Sequence, residues 1–156
     1  ADIRLLLKGQ LQGKDTEAVS IDDARIEQQV EDLPTDAYLR LFAASHVCLA
    51  PSRWEGTGLH FFEATAFGMP MITNDVPPMN EHFRHGENAR LVRSHVVGPT
   101  RSGIPSVDPD IADLALAIDE LAERSTRERL ADGARRHREQ LPWQQTVADI
   151  DRLLAS

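Results

Sequence analysis

Two glutamates stand eight positions apart in Pro51-Ser-Arg-Trp-Glu55-Gly-Thr-Gly-Leu-His-Phe-Phe-Glu63-Ala, with Gly56 and Gly58 between them. An ionised carboxylate only accepts hydrogen bonds, which suits it to the paired hydroxyls of a sugar diol. Glycines let an anion approach the backbone closely. A helix beginning near Gly58 would offer that anion its unpaired first amides and the positive end of its dipole. Eight residues along one helix rotate the second acid by about 80° from the first, so the pair need not share a face. A better geometry puts Glu55 in a loop facing a crevice and Glu63 in the second helical turn, on two sides of the anion. Diphosphate at the helix start, a sugar by one glutamate and a ribose by the other describe a sugar nucleotide. A solvated glutamate at 55 and a dipole-stabilising one at 63 fit the same spacing, and spacing alone leaves both readings open.

Such a loop needs a buried strand to deliver it and a helix to receive it. Val47 to Ala50 is an apolar run that ends at Pro51, and Leu59 to Phe67 is a mostly apolar helix stopped by Gly68-Met69-Pro70. Further strands are expected at Ile3 to Leu7, closed by Lys8-Gly9, at Met71 to Thr73, and at Ala89 to Val92. Residues 10 to 20 read as a loop, and Ile21 to Asp32 as either helix or strand. Leu33-Pro34-Thr35-Asp36 supplies a turn and an N-cap for a helix to about Ser45, with Tyr38, Leu39, Leu41, Phe42 and Ala43 as its apolar face. Asn74 to Asn80 is expected to be a loop and His95 to Pro109 a long connection. Helices over about 109–123, 126–140 and 143–154 complete the chain, the first with Ile111, Leu114, Ala115, Ile118 and Leu121 on one face. Strands separated by helices of about ten residues predict an α/β fold with a parallel sheet covered on both faces. Its ligand crevice lies beyond the C-terminal strand ends, where the loops 8–14, 50–59 and 74–81 emerge.

Composition narrows the functional classes. The chain has 156 residues, 41% hydrophobic and 27% charged, the usual size of one compact domain and too short for a two-domain enzyme. One domain over 1–156 is expected. A net charge of −8 argues against a nucleic-acid or anionic-membrane surface. No stretch approaches the roughly 18 apolar residues of a membrane span, and the opening Ala-Asp-Ile-Arg lacks a signal-peptide pattern, so the expected location is cytoplasmic. Cys48, the one cysteine, lies in an apolar run and reads as a buried, inert thiol. Lys8 and Lys14 are the two lysines among 17 basic residues, which leaves cationic work mainly to arginine.

The segment Glu55-Gly-Thr-Gly-Leu-His-Phe-Phe-Glu63-Ala-Thr-Ala-Phe-Gly68-Met-Pro70-Met-Ile-Thr73 closely resembles the E-x7-E block of the retaining glycosyltransferases of family four, the group 1 glycosyltransferases with the GT-B fold. Neighbouring stretches agree: Leu33-Pro34 through Ser52 before it, then Asn74 to Glu81 and His85 to Val92, and later Pro109 to Ala115 and Pro142-Trp143. The resemblance runs over about residues 3 to 154. It implies the C-terminal, Rossmann-like half of a GT-B enzyme, which binds a nucleotide-sugar donor while an N-terminal domain binds the acceptor. It further implies that Glu55 contacts hydroxyls of the transferred sugar, that Glu63 contacts the ribose, and that amides around Gly56, Thr57, Gly58 and Leu59 face the sugar and diphosphate. Thr57 departs from the family's frequent aromatic, which leaves the sugar undefined. Ile3 to Leu7 resembles the family's second strand, so the family's basic loop after its first strand is expected upstream of residue 1, and the isolated chain is expected to be inactive.

Several residues carry two readings. Arg53 is either a charge for the diphosphate or a partner stacked on Trp54. Lys8 is either within reach of the crevice or a solvated turn lysine. Glu81 ends a strand-exit loop that lines the donor pocket in the family, with its own side chain either in that pocket or structural. His82 and His85 with Glu81 and Glu87 are too loosely spaced for a metal site, the family generally works without a protein-bound metal, and no cofactor is expected. His60 reads as a packed or surface histidine, Met69 and Met71 as core. Two further functions stay open: a non-catalytic interaction module of the same fold, and a sugar-nucleotide epimerase, which the Gly-x-Pro ending of the E-x7-E block disfavours.

Overall fold

The computed structural model describes residues 3–9, 21–141 and 143–155. The loop expected over 10–20, with Lys14, and the motif residue Pro142 lie outside them. Contacts divide the chain into two units, Ala1–Ala44 and Ser45–Ser156.

In the first unit, β1 (Leu5–Lys8) and β2 (Ile26–Gln29) pair in parallel, Leu5 opposite Ile26 and Lys8 opposite Gln29. The segment that read as helix or strand is therefore a strand. Helix α1 (Thr35–Ala43) follows. Its N-cap is Pro34, whose carbonyl accepts from the Tyr38 amide at 3.0 Å, and no side chain caps it. The N-cap expected within Leu33 to Asp36 thus falls on Pro34, and Thr35 and Asp36 lie in the first turn, where Asp36 complements the helix dipole. Tyr38, Leu41 and Phe42 are half-buried, while Leu39 and Ala43, one turn apart on the other side, are exposed.

The second unit is built on a parallel sheet ordered β3 (Cys48–Ala50), β4 (Met71–Asn74), β5 (Ala89–Val92). The central β4 is buried along its whole length, as a strand covered on both faces must be. Side chains alternate across it. Ile72 and Val92 join Ala117, Leu121 and Leu130 in a core cluster, with Leu49, Leu114 and Ile118 packed against it. That cluster tucks α4 (Ile111–Ala122) and α5 (Arg124–Glu139) against this face. The opposite face carries Cys48 and Met71, and α2 (Leu59–Ala66) brings the charge of Glu63 to bear on Cys48. Burial and that charge push the Cys48 thiol up to about 12, which makes it the inert thiol expected.

Helix α2 is punctuated by two glycines with positive φ. Gly58 is its N-cap at φ 63°, and a Cβ there would lie 2.5 Å from the Phe61 ring. At the other end Gly68, also at φ 63°, donates to Thr65 O while Met69 donates to Ala64 O, the paired bonds of a Schellman ending. Arg138 of α5 adds a bond to Ala66 O at 3.2 Å. With its C-terminal end sealed in this way, α2 presents its N-terminus beyond the β3 exit.

Two expectations are overturned downstream. The stretch 74–80 is not loop throughout, since a one-turn helix α3 (Met79–His82) begins at Met79. The connection expected at 95–109 is an antiparallel hairpin of β6 (Ser94–Pro99) and β7 (Pro105–Pro109), with a bulge between Val96 and Gly98. Its turn is closed by Thr100, whose amide donates to Ile104 O and whose Oγ1 accepts from the Ile104 amide. Asp110 caps α4 by accepting from the Asp113 amide at 3.0 Å, and α6 (Trp143–Leu154) ends the described chain. Among the described residues no helix is long and apolar enough to cross a membrane.

Candidate functional site

The loop from Pro51 to Gly58 leaves the C-terminal end of β3 and is pinned from two sides. From β4, fully buried Asn74 donates Nδ2 to Ser52 O at 2.8 Å, and Thr73 Oγ1 donates to Ala50 O at 2.8 Å. From β7, the Val107 amide donates to Arg53 O at 2.8 Å. These bonds fix the backbone on which Glu55 stands.

Glu55 is sheltered, its side chain 21% exposed. Ser52 Oγ donates to its Oε1 at 2.8 Å, and His60 Nε2 lies 3.7 Å from the same oxygen. Among the described residues no lysine or arginine pairs with it. Its charge is held in place and left uncancelled. Gly56 and Thr57 are exposed, with open space around Gly56 where a Cβ would be. Gly58 is buried under the first turn of α2, and Phe61 N donates to Gly58 O at 2.8 Å. The amides of Leu59 and His60 find no partner among the described residues, as the first amides of a helix must unless something caps them. The Leu59 side chain itself is exposed. Glu63 is half-buried in the second turn of α2, and Glu55 stands in the loop that precedes the helix.

Other candidates fall differently. Arg53 grips Asp108 of β7 with two bonds, Nε to Oδ1 at 2.7 Å and Nη2 to Oδ2 at 3.1 Å. The pairing raises the guanidinium pKa and lowers that of the carboxyl. Neither expected reading of Arg53 included this partner. Lys8, in the first unit, donates Nζ to Gly9 O and Glu31 O at 2.8 and 2.9 Å, tying together the ends of β1 and β2. Glu81 sits exposed on α3. His82 stacks edge-on against Phe62 at 4.9 Å, an aromatic contact rather than a ligand set. Among the described residues no three His, Cys, Asp or Glu side chains gather as metal ligands would.

Sequence reasoning passed over Ser52 and Asn74 and read His60 only as a packed or surface histidine. Ser52 and His60 were visible as polar residues within five positions of Glu55, but only the turn of the loop aims them at one oxygen. Asn74 gave no signal, because its bond to Ser52 spans 22 residues.

Residues 1–137 match the family described as glycosyl transferases group 1, and the chain belongs to that family. It is 33% identical over 163 residues to the D-inositol 3-phosphate glycosyltransferase of Gordonia bronchialis, a match covering 99% of this chain and 32% of that protein. The enzyme of the same name from Rhodococcus erythropolis is 35% identical over 126 residues, 78% of this chain and 25% of its own. The chain thus spans about a third or less of the curated relatives it matches. Among solved structures, the sucrose-phosphate synthase of Thermosynechococcus elongatus superposes with TM-score 0.66 at 24% identity, over 84% of this chain and 30% of that one. The pneumococcal O-GlcNAc transferase, solved with UDP and GlcNAc, gives 0.58 at 23% identity over 81% and 24%. These likenesses assign the fold: α/β, with parallel strands flanked by helices, as in part of a GT-B glycosyltransferase.

Proposed function

We propose that this chain is the donor-binding domain of a retaining glycosyltransferase, which moves a sugar from a nucleoside diphosphate sugar to an acceptor. The observation that carries the reading is the sheltered Glu55 carboxylate, oriented by Ser52 with no lysine or arginine partner among the described residues, next to the glycine-started N-terminus of α2. In this reading Glu55 accepts hydroxyls of the transferred sugar and Glu63 the ribose diol. The amides from Gly56 to His60 face the diphosphate, with Thr57 beside the sugar. Arg53 is assigned to this pocket by its place in the loop that carries Glu55, and Glu81 by the family resemblance of the loop it ends. The bond from the anomeric carbon to the diphosphate oxygen breaks while one to the acceptor oxygen forms on the same face. The acceptor proton passes to the departing diphosphate. The protein contributes position and charge stabilisation on the leaving group. No protein-bound metal or cofactor takes part.

The acceptor is bound by another domain of a longer protein, in keeping with relatives about three times this length, and the isolated chain does not turn over. The reaction is cytoplasmic, with the unpaired Cys48 thiol suited to a reducing compartment. Calorimetric titration of the full-length protein with UDP, GDP, ADP and their common sugar conjugates tests the binding, and transfer to D-inositol 3-phosphate and other polyols tests the activity. Binding of one nucleotide series is expected, with Glu63→Gln weakening it about tenfold by loss of a charge-assisted bond. Absence of binding at millimolar nucleotide overturns the reading. Full binding with no transfer to any acceptor supports a non-catalytic module instead.

A further inference from the structure

Glu55 has two carboxylate oxygens, and both neighbours that the fold supplies converge on one of them. Ser52 Oγ donates to Oε1 at 2.8 Å, and His60 Nε2 stands 3.7 Å from it. That second distance is too long for a hydrogen bond. His60 Nε2 is nevertheless buried and makes no other bond among the described residues, so closing the gap by a small side-chain adjustment would satisfy an atom whose burial is otherwise uncompensated. The imidazole is held for that contact. It lies edge-on to Phe61 with centroids 4.3 Å apart, and Phe61 is itself buried beneath Gly58, where a Cβ would collide with its ring. Ser52 is held too, by the buried Asn74 bonded to its carbonyl.

We propose that His60 is a positioning residue for Glu55. Its Nε2–H and the Ser52 hydroxyl anchor Oε1, so that Oε2 is presented to a hydroxyl of the transferred sugar. The inference rests on the donor-binding reading above and adds to it a residue outside the glutamate and glycine pattern. A neutral imidazole carries its proton on one ring nitrogen, and only the Nε2–H tautomer attracts the carboxylate, since a lone pair at Nε2 would face another on Oε1. His60 therefore carries its proton on Nε2.

Two measurements on the full-length protein test this. The first needs no ligand: nitrogen-15 NMR of histidine-labelled protein at alkaline pH, with His60 assigned by its loss in His60→Gln. The Nε2–H tautomer is expected, with a mixture of tautomers once Glu55→Ala removes the acceptor. A dominant Nδ1–H form in the unsubstituted protein overturns the proposal. The second compares affinities for UDP-glucose, UDP-N-acetylglucosamine and GDP-mannose with those for UDP and GDP, so that the sugar's share of binding is isolated. His60→Asn and His60→Leu are expected to lower that share about tenfold, the loss of one oriented hydrogen bond to a charged group, with nucleoside diphosphate affinity unchanged. His60→Gln is expected to restore it, because a Gln amide nitrogen reaches the position of Nε2 and an Asn amide only that of Nδ1. Equal losses in Gln and Asn variants, or an undiminished sugar share in His60→Leu, overturn the positioning role. If neither nucleotides nor their sugars bind, the donor-binding reading fails, and the tautomer still decides whether His60 serves Glu55.

Discussion

Glu55 and Asp113 are both sheltered carboxylates of the second unit, and their surroundings are opposite in kind. Asp113, its side chain 8% exposed, accepts from the Arg90 guanidinium at 2.7 Å and from the Arg93 amide at 2.8 Å. Those donors, the amide first and the guanidinium second, hold its carboxyl below the usual carboxylate range. Arg90 in turn pairs with Glu120 at 2.9 Å. The charge of Asp113 is consumed in joining β5 to α4. Glu55 is oriented by a hydroxyl and faced by an imidazole, so its charge and its second oxygen stay available. A carboxylate cancelled by the fold belongs to the fold, whereas one oriented without being cancelled is equipped for a ligand.

Substitution should separate the two roles. Glu55→Gln is expected to reduce transfer by the full-length protein about a hundredfold or more, the size of loss that follows removal of one preorganised electrostatic contact at a reacting centre. Its thermal midpoint should stay within about 2 °C of the parent, because among the described residues no lysine or arginine pairs with Glu55. Asp113→Ala should do the reverse, lowering the unfolding free energy by about 2–3 kcal/mol in urea titration as it strips a partner from the half-buried Arg90. Donor affinity should be unaltered. A variant at 113 that loses donor affinity while keeping its stability would erase the distinction.

The pH dependence is a smaller effect and sharpens the same contrast. Because the folded pKa of Asp113 is lowered, its stabilisation is complete above its unfolded value of about 4 and is lost as pH falls through the lower folded value. Asp113→Asn should therefore show a shallower fall in stability than the parent as the pH drops below about 4. An unchanged slope would mean that Asp113 is not the carboxylate the fold relies on. The smallest effect belongs to the exposed Arg53–Asp108 pair. Arg53→Gln should move the thermal midpoint by less than about 2 °C, as solvent-screened pairs do. A much larger drop would show that the pair, and not the Val107 to Arg53 backbone bond, fastens the hairpin to the loop.

Legibility followed burial. β3, β4 and β5 were readable because strands covered on both faces are nearly continuous apolar runs, and α2 was readable because Gly58 and Gly68 mark its two ends. The β6–β7 hairpin was not. Its Val96 and Val97 are exposed and Val107 is its single buried apolar side chain, too little for a core pattern, and its register shifts at the Gly98 bulge. At α1, Pro34, Thr35 and Asp36 are each acceptable at a helix start, and the chain's entry angle places Pro34 at the cap. In the site, Glu55, Glu63 and Gly58 were found from type and spacing, while the partner of Arg53 lies 55 residues away and has no local signature.

By itself the sequence determined where the three strands of the second unit's parallel sheet and the helix α2 fall along the chain, and the acid and glycine pattern at the β3 exit. Both rest on local periodicity and backbone preference, which neighbouring residues carry among themselves. The tertiary structure decided which polar groups are spent and which are free. Docking of β7 committed Arg53 to Asp108, the end of β4 committed Asn74 to Ser52, and the turn into α2 set Ser52 and His60 on one oxygen of Glu55. Hydrogen bonds and ion pairs act over a few ångströms, and only the packed sheet brings such distant positions within that range.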